Sequence, residues 1–290
     1  MQLVPLWTHT LGDRPVGISL AREARLLLAW DGAQQPTLFD FHGRPRGSTR
    51  LPLPAVAAAI CETGRHVVAA THKQVWWFNQ ELQLQFDISL PAAVIALALE
   101  PHGNYLAASD EARGLHLFNR LGQPIASWEA PRPIHHLAFV PGQARLLAAA
   151  DFGFLGAFDS TGRCLWRDTP LTHVGSLACS GAGDCIALAC FTEGLRRYDG
   201  NGGQLSRWSL PVPCRRAALD YAGQAVLAAG DDASLYLLNS QGRVSEKLVL
   251  EHSVSALALG ALGDLGFVGL ARGEVLAIGV QQRDQAILAA

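Results

Sequence analysis

Short apolar runs separated by turn-forming residues recur along the whole chain. The stretch from Ile134 to Trp166 shows the unit: four apolar runs, with a Pro141-Gly142 turn after the first and a turn at 159–162 before the last. Runs this short, bounded by Gly, Pro, Asp or Asn, predict β-strands rather than helices. Several runs are apolar throughout, as at 92–99, which is typical of strands buried on both faces.

The last large apolar residue of the first predicted strand recurs at intervals of 40, 39, 40, 40, 40 and 40 residues. A fixed period in this range predicts a repeat architecture. The residue before each of these anchors is Ser or Ala, which suits a crowded centre where repeats converge. The seven anchors are Leu20, Ile60, Leu99, Phe139, Cys179, Leu219 and Leu259.

Two turn positions repeat with the anchors. Four residues on, five copies have Gly, as a tight turn with positive φ favours; the first copy has Ala24 and the fourth has Gly142 one position early. Twenty residues on, six copies have Asp, Asn or Gly. The second copy instead places Asn79 at nineteen, so its loop near 71–74 is expected to be one residue short.

The pattern Val174-x-x-Leu177-Ala178-Cys179, followed by a glycine turn and further apolar runs, resembles a blade of a WD-repeat propeller. The aromatic-acid pair of that family appears in softened form, as in Tyr198-Asp199, and no copy has the family's Gly-His pair. The segment 159–166 resembles the repeat of pyrroloquinoline-quinone-dehydrogenase-like (PQQ-like) propellers, and its tryptophan returns at Trp128 and Trp208, two places later after the glycine.

Both resemblances extend over the chain and imply one all-β domain at 1–290, a seven-bladed β-propeller of four-stranded antiparallel blades with about 40 residues each. Such a ring needs closure. Residues 6–10 match 165–169 in sequence and in distance to the next anchor, so residues 2–9 are expected to add an outer strand to the last blade. Residues 285–289 occupy the fourth-strand position of the last copy and are the competing choice.

Composition limits the function. Charged residues make up 17% of the chain and the net charge is -2, which argues against a nucleic-acid partner. No apolar run approaches the roughly 20 residues of a membrane helix, and the N-terminal 15 residues lack the pattern of a secretory signal. A cytoplasmic protein without membrane insertion is therefore expected.

The cysteines lack the paired spacing of a zinc site, so neither a metal nor a cofactor is expected and the thiols are expected to be buried. The six are Cys61, Cys164, Cys179, Cys185, Cys190 and Cys214.

Two groups of residues are candidates for function. Loops that join second and third strands contain large apolar side chains where polar ones are usual, and exposed aromatic patches tend to mark partner sites. These residues are Trp30, Phe152, Phe154 and Phe191. First strands of the fourth and sixth copies contain paired basic residues that would face a central channel and attract an anion. These residues are His135, His136, Arg215 and Arg216.

In both groups, ordinary packing is the competing interpretation for any single residue. No linear catalytic motif appears, so the sequence favours a non-enzymatic scaffold, or a subunit of a larger complex, that binds a protein or peptide through the loop face. The alternative is a binder of, or enzyme for, a small anion at the channel.

Overall fold

The computed structural model describes residues 1–281. Twenty-eight strands form seven antiparallel sheets of four strands, and no helix occurs in this part of the chain. The innermost strand of each sheet contacts those of the two neighbouring sheets, so the sheets close into a ring. The protein is a seven-bladed β-propeller, which confirms the prediction from the repeat.

Blades 1 to 6 each consist of four consecutive strands, ordered from the channel outwards. Blade 1 has β2 (Pro15–Ala21), β3 (Leu26–Asp31), β4 (Thr37–Asp40) and β5 (Pro45–Ser48). Blade 2 has β6 (Ala57–Ile60), β7 (His66–Thr71), β8 (Gln74–Asn79) and β9 (Leu84–Ser89). Blade 3 has β10 (Val94–Leu99), β11 (Tyr105–Asp110), β12 (Gly114–Asn119) and β13 (Pro124–Glu129).

The next three blades follow the same order. Blade 4 has β14 (His136–Phe139), β15 (Arg145–Ala150), β16 (Phe154–Asp159) and β17 (Cys164–Asp168). Blade 5 has β18 (Val174–Cys179), β19 (Ile186–Cys190), β20 (Gly194–Tyr198) and β21 (Gln204–Trp208). Blade 6 has β22 (Cys214–Leu219), β23 (Val226–Gly230), β24 (Ser234–Leu238) and β25 (Val244–Val249).

Blade 7 combines the two ends of the described chain. Its strands are β26 (Val254–Leu259), β27 (Leu265–Leu270), β28 (Glu274–Gln281) and, outermost, β1 (Gln2–Thr10). β1 pairs with β28 from Gln2 opposite Gln281 to Thr10 opposite Glu274, and residues 2–9 lie within it. Pro5 lacks an N–H, and this edge strand accommodates it next to a bulge. Residues 285–289 lie outside the described residues.

The core lies between blades. Leu117 packs with Leu146 of blade 4, whereas its neighbour Phe118 packs with Trp77 of blade 2. Each blade therefore buries apolar side chains on both faces, which explains the nearly continuous apolar runs in the sequence.

The repeated turn residues act as expected. Asp159 Oδ1 accepts the backbone N–H groups of Thr161 and Arg163 at 2.9 and 3.1 Å, and Gly162 has a φ of +84°. Equivalent Asp or Asn turns occur in blades 1 to 3, 5 and 6. The loop between β7 and β8 has two residues, 72–73, against three in blade 3, which confirms the predicted short loop.

The cysteine prediction is partly wrong. All six are free thiols, and four are buried, but Cys179 is only partly buried and Cys164 is exposed. Cys164 lies at the exposed start of β17, the outermost strand of blade 4.

Aromatic rings of fourth strands connect neighbouring blades. The Trp7 indole Nε1 donates to the Phe41 carbonyl at 2.9 Å, and Trp166 Nε1 donates to the Gly200 carbonyl at 3.0 Å. Each ring covers the positive-φ glycine of the next blade's outer turn, and a Cβ on Gly202 would lie 2.6 Å from the Trp166 ring. Glycine is thus needed there for its conformation and for space.

Candidate functional site

The upper face of the propeller is the end that carries the loops between second and third strands and the connections between blades. Phe152 follows β15 and Phe191 follows β19, so the repeat places both rings on this face in adjacent blades. Phe152 is 54% exposed, and Phe191 is half-buried.

The connection between blades 4 and 5 aligns these rings. The Phe152 N–H donates to the Thr172 carbonyl at 2.9 Å, and the Phe191 N–H donates to the His173 carbonyl at 3.0 Å. The His173 ring lies between the two phenyl rings, with centroid distances of 6.2 Å to Phe152 and 6.3 Å to Phe191. Two backbone hydrogen bonds therefore fix the row.

Asp151 orients the middle ring. Its Oδ2 is 2.8 Å from His173 Nδ1, and its Oδ1 accepts the Val174 N–H at 2.7 Å. One carboxylate thus ties the imidazole and the start of β18 to the loop that holds Phe152.

Arg215 extends the row onto blade 6. Its guanidinium carbon is 4.9 Å from the Phe191 ring centroid, and its Nε donates to the Asp231 carboxylate. We call Phe152, His173, Phe191 and Arg215 the upper-face row. Leu171, 78% exposed, lies in the same connection as His173.

Two aromatic residues expected on this surface are buried instead, so this part of the sequence prediction is wrong. Trp30 is 7% exposed because its ring covers Gly17, where a Cβ would lie 2.0 Å from the ring. Phe154 is 2% exposed and packs in the core with Phe158, at a centroid distance of 6.1 Å.

The basic residues expected in the channel lie on first strands, or directly before one, but outside its central cavity. The channel holds a cavity of about 340 Å³, lined mainly by Ala, Leu and Ile side chains at the anchors and the two residues before each. None of His135, His136, Arg215 and Arg216 lines this cavity. The first strands are apolar at this depth, and the basic pairs lie closer to the upper end.

Arg216 and His136 are held by backbone carbonyls. Arg216 Nε donates to the Ser255 carbonyl at 3.1 Å and Nη1 to the Gly175 carbonyl at 2.6 Å, so the guanidinium bridges blades 5 and 7. His136 Nε2 donates to the Val174 carbonyl at 3.0 Å. Burial lowers the pKa of His136 to about 4, so this imidazole is neutral at pH 7. These contacts do not favour an anion site built on the pair.

A different ion pair lines the lower end of the channel. Arg22 Nη1 is 3.6 Å from Glu62 Oε1, and Glu62 Oε2 accepts the Arg22 N–H at 2.6 Å. Burial raises the pKa of Glu62. This pair could have been found in the sequence. Arg22 and Glu62 both lie two residues after an anchor, in copies 1 and 2, where copies 3 and 4 have Pro101 and Pro141.

Ser127, His116 and Asp110 form a hydrogen-bonded series that sequence analysis missed. Ser127 Oγ is 3.0 Å from His116 Nδ1, and His116 Nε2 is 2.8 Å from the buried Asp110 Oδ2. These three groups are also those of serine hydrolases, where the imidazole activates the hydroxyl.

In two other blades, the residues at the positions of His116 and Ser127 also bond an acidic side chain, but they are of other types. In blade 6, Tyr236 and Lys247 occupy the places of His116 and Ser127, and both bond Asp232, at 3.0 and 3.1 Å. In blade 5, Arg196 and Arg207 occupy these places and pair with Glu193. The series therefore connects the two outer strands to an acid at the end of the second strand or in the loop that follows it, and we assign it to the structure of the blade.

Within residues 1–281, no group of three or more His, Cys, Asp or Glu side chains is arranged to hold a metal ion. The same residues include no helix long and apolar enough to span a membrane. In sequence comparisons the chain matches no family model and no curated protein. The structure thus shows the propeller, while the WD-repeat and PQQ-like resemblances remain expectations about its subtype.

The upper-face row was only partly visible in the sequence. Phe152 and Phe191 stand out because the corresponding loops of blades 2, 3 and 6 have charged or small residues. His173 and Leu171 were missed as members of this surface, although Leu171 is a large aliphatic residue in a short connection that otherwise has Thr, Pro and His, which is a usable signal.

Proposed function

We propose that the protein is a non-enzymatic interaction platform that binds a protein or peptide through the upper-face row, as a scaffold or as a subunit of a larger complex. The observation that supports this most is the exposed Phe152 ring, aligned with His173 and Phe191 by backbone hydrogen bonds.

The composition of the row suits a binding hot spot. Aromatic and Arg side chains contribute most at the centres of interfaces, where burial removes large ring surfaces from water. Phe152 and Leu171 supply exposed apolar surface, and Arg215 supplies a planar donor group already stacked on Phe191.

The row is also pre-organised. The two backbone hydrogen bonds and the Asp151–His173 contact hold the rings before any partner arrives, so binding orders fewer side chains. A lower ordering cost leaves more of the contact energy as affinity. Because Arg215 and His173 are both paired with carboxylates, the expected partner offers apolar side chains and hydrogen-bond acceptors rather than a strong net charge.

The test is affinity purification of the tagged protein from its native cell, with quantitative mass spectrometry. The double variant Phe152→Ser, Phe191→Ser removes two rings of the row. The matched control, Leu121→Ser, Leu262→Ser, removes two exposed apolar side chains on the opposite, lower face, where they are 66% and 83% exposed. Melting temperatures of all three proteins establish that they are folded.

We expect one or more stoichiometric partners with the wild type and the control, and at least a tenfold loss with the Phe152→Ser, Phe191→Ser protein. Equal recovery with all three would overturn the assignment of the site, and a wild-type protein that purifies alone would contradict the platform itself.

A further inference from the structure

A cavity of about 290 Å³ lies between blades 3 and 4 on the lower face. Aromatic rings of Tyr105, Trp128 and Phe139 line it, together with Leu117 and Leu146. Glu100 and Asp159 are among its polar lining residues. It is separate from the upper-face row and independent of the proposed function.

The cavity results from a missing ring. Ala126 lies opposite Leu117, in the strand position that holds Phe86 in blade 2, Trp166 in blade 4 and Trp7 in blade 7. In blade 3 the ring is supplied by Trp128, two residues later, which covers Gly162 of blade 4. The volume that a ring at 126 would fill is therefore empty.

At the interface between blades 5 and 6 the tryptophan is also displaced by two residues, but a side chain fills the space there. Trp208 covers Gly242 there, and the side chain of Arg197 fills the space beside it. The guanidinium carbon is 4.4 Å from the Trp208 ring centroid. Its Nε and Nη2 contact Cys185 Sγ at 3.3 and 3.1 Å, and Nη1 donates to the Ser240 carbonyl at 3.4 Å.

The two interfaces correspond residue by residue, because the anchors of blades 3 and 4 lie 80 residues before those of blades 5 and 6. The groups around the guanidinium all have counterparts in the wall of the cavity. Arg197, Cys185, Trp208 and Ser240 correspond to Leu117, Tyr105, Trp128 and Ser160. Leu117 ends short of the place that Arg197 reaches, so the cation alone is missing.

The interface that lacks the cation has two acidic residues that the other interface lacks. Glu100 and Asp159 of the cavity correspond to the neutral Ser180 and Asn239 at the interface of blades 5 and 6, where Arg197 is present. Hydrogen bonds from Thr161, together with those from backbone N–H groups, lower the pKa of Asp159, so it is ionised at neutral pH. Glu100 Oε2 accepts the N–H groups of His102 and Asn104. Arg163 is the one cation paired with these carboxylates among the described residues, 3.3 Å from Asp159.

We propose that this cavity binds a small organic cation of the guanidinium class, stacked on Trp128 as Arg197 stacks on Trp208. A guanidinium combines a flat face for an aromatic ring with in-plane donors for the carboxylates and the Ser160 carbonyl.

The test is a titration of the ¹⁵N-labelled protein with methylguanidine, followed through the indole N–H signals, with Trp128→Phe used to assign the signal of Trp128. Methylurea, a neutral molecule of nearly the same shape, is the control ligand. We expect a saturable shift of the Trp128 signal with methylguanidine and at least tenfold weaker binding of methylurea.

Two variants place the site. Leu117→Arg supplies the missing side chain and should abolish the titration; if that variant does not fold, Ala126→Trp fills the same volume. Glu100→Gln should weaken binding severalfold, whereas Glu251→Gln, an exposed acid outside the cavity, should leave it unchanged. Equal shifts with both ligands, no saturable shift, or binding that survives a filled cavity would overturn the proposal.

Discussion

At the scale of single residues, burial gives His136 an acid-sensitive role. Its pKa is about 4 in the folded protein, lowered first by burial and further by the nearby Arg216 and His135, against about 6.5 in an unfolded chain. The hydrogen bond to the Val174 carbonyl and the more distant Asp151 act in the opposite direction.

We therefore expect His136 to destabilise the fold in acid. Below pH 6.5 the unfolded chain takes up the proton first, so the free energy of unfolding falls by up to about 3 kcal/mol as pH drops from 6.5 to 4. Urea unfolding at several pH values measures this. His136→Gln keeps an N–H donor without a titrating group and should flatten that part of the profile; identical slopes in both proteins would contradict the assignment.

The Ser127–His116–Asp110 series gives a second prediction. His116→Ala should lower the free energy of unfolding by about 1–3 kcal/mol, because it removes a hydrogen-bond partner from a buried carboxylate. Ser127→Ala, at an exposed position, should change it by less than about 0.5 kcal/mol. A fluorophosphonate probe should leave Ser127 unmodified. Labelling of Ser127 that disappears in His116→Ala would instead identify a catalytic serine.

The contrast between Phe152 and Phe154 shows what a sequence can settle at this scale. Phe154 begins β16, which is buried on both faces from Phe154 to Phe158, so its burial follows from its place within that strand. Phe152 precedes the strand and escapes that pattern. The burial of Trp30 depends on Gly17 in the adjacent strand, and no local pattern in the sequence reveals that contact.

At the scale of elements, one interface reverses the contact in which an aromatic ring of a fourth strand covers a glycine of the next blade's outer turn. Between blades 1 and 2, Gly47 occupies the ring position and the buried Leu82, with a φ of +58°, occupies the glycine position. A bulky side chain from one blade replaces the ring of the other.

We expect the two positions to be strongly coupled. Gly47→Trp alone should clash with Leu82, and Leu82→Gly alone should leave a cavity, so each should destabilise the protein. The double variant restores the contact seen elsewhere and should be more stable than the sum of the single changes by about 1–3 kcal/mol. Chemical denaturation of the four proteins measures this coupling. A control cycle of Gly47→Trp with Leu121→Gly should be additive, and additivity in both would contradict the exchange.

Strands and turns were predictable because the same positions recur in all seven copies, so a departure in one copy stands out against the other six. The interval of 39 located the short β7–β8 loop, and the repeated Asp and Asn marked the outer turns. The cavity between blades 3 and 4 was not predictable, because it depends on how far Leu117 reaches across an interface.

At the scale of the whole molecule, β1 joins the two ends of the described chain by pairing with β28 in blade 7, and Trp7 connects that blade to blade 1. The Trp7 ring lies 6.5 Å from Phe39 of blade 1 and 6.1 Å from Phe267 of blade 7, and its indole bonds the Phe41 carbonyl. The similarity of 6–10 to 165–169 indicated an outer strand for the last blade but not this contact, although Trp7 corresponds to Trp166.

Trp7→Ala should lower the free energy of unfolding by about 3 kcal/mol, at the low end for a tryptophan because the ring is half-buried. Leu6→Ala, in the same strand but 48% exposed, is the matched control and should cost less than about 1 kcal/mol. Thermal and urea unfolding compare the two. Equal losses would mean that β1 contributes only its backbone pairing with β28.

The most direct test of the proposed platform is site-specific photo-cross-linking in the native cell. A benzophenone amino acid replaces Phe152 in one protein and Leu121, on the opposite face, in another. We predict that position 152 gives a discrete adduct with one protein or a small set of proteins, absent at position 121, and that adding Phe191→Ser removes it. No adduct at 152, or the same adducts from both faces, would contradict the claim that this propeller binds its partner through the upper-face row.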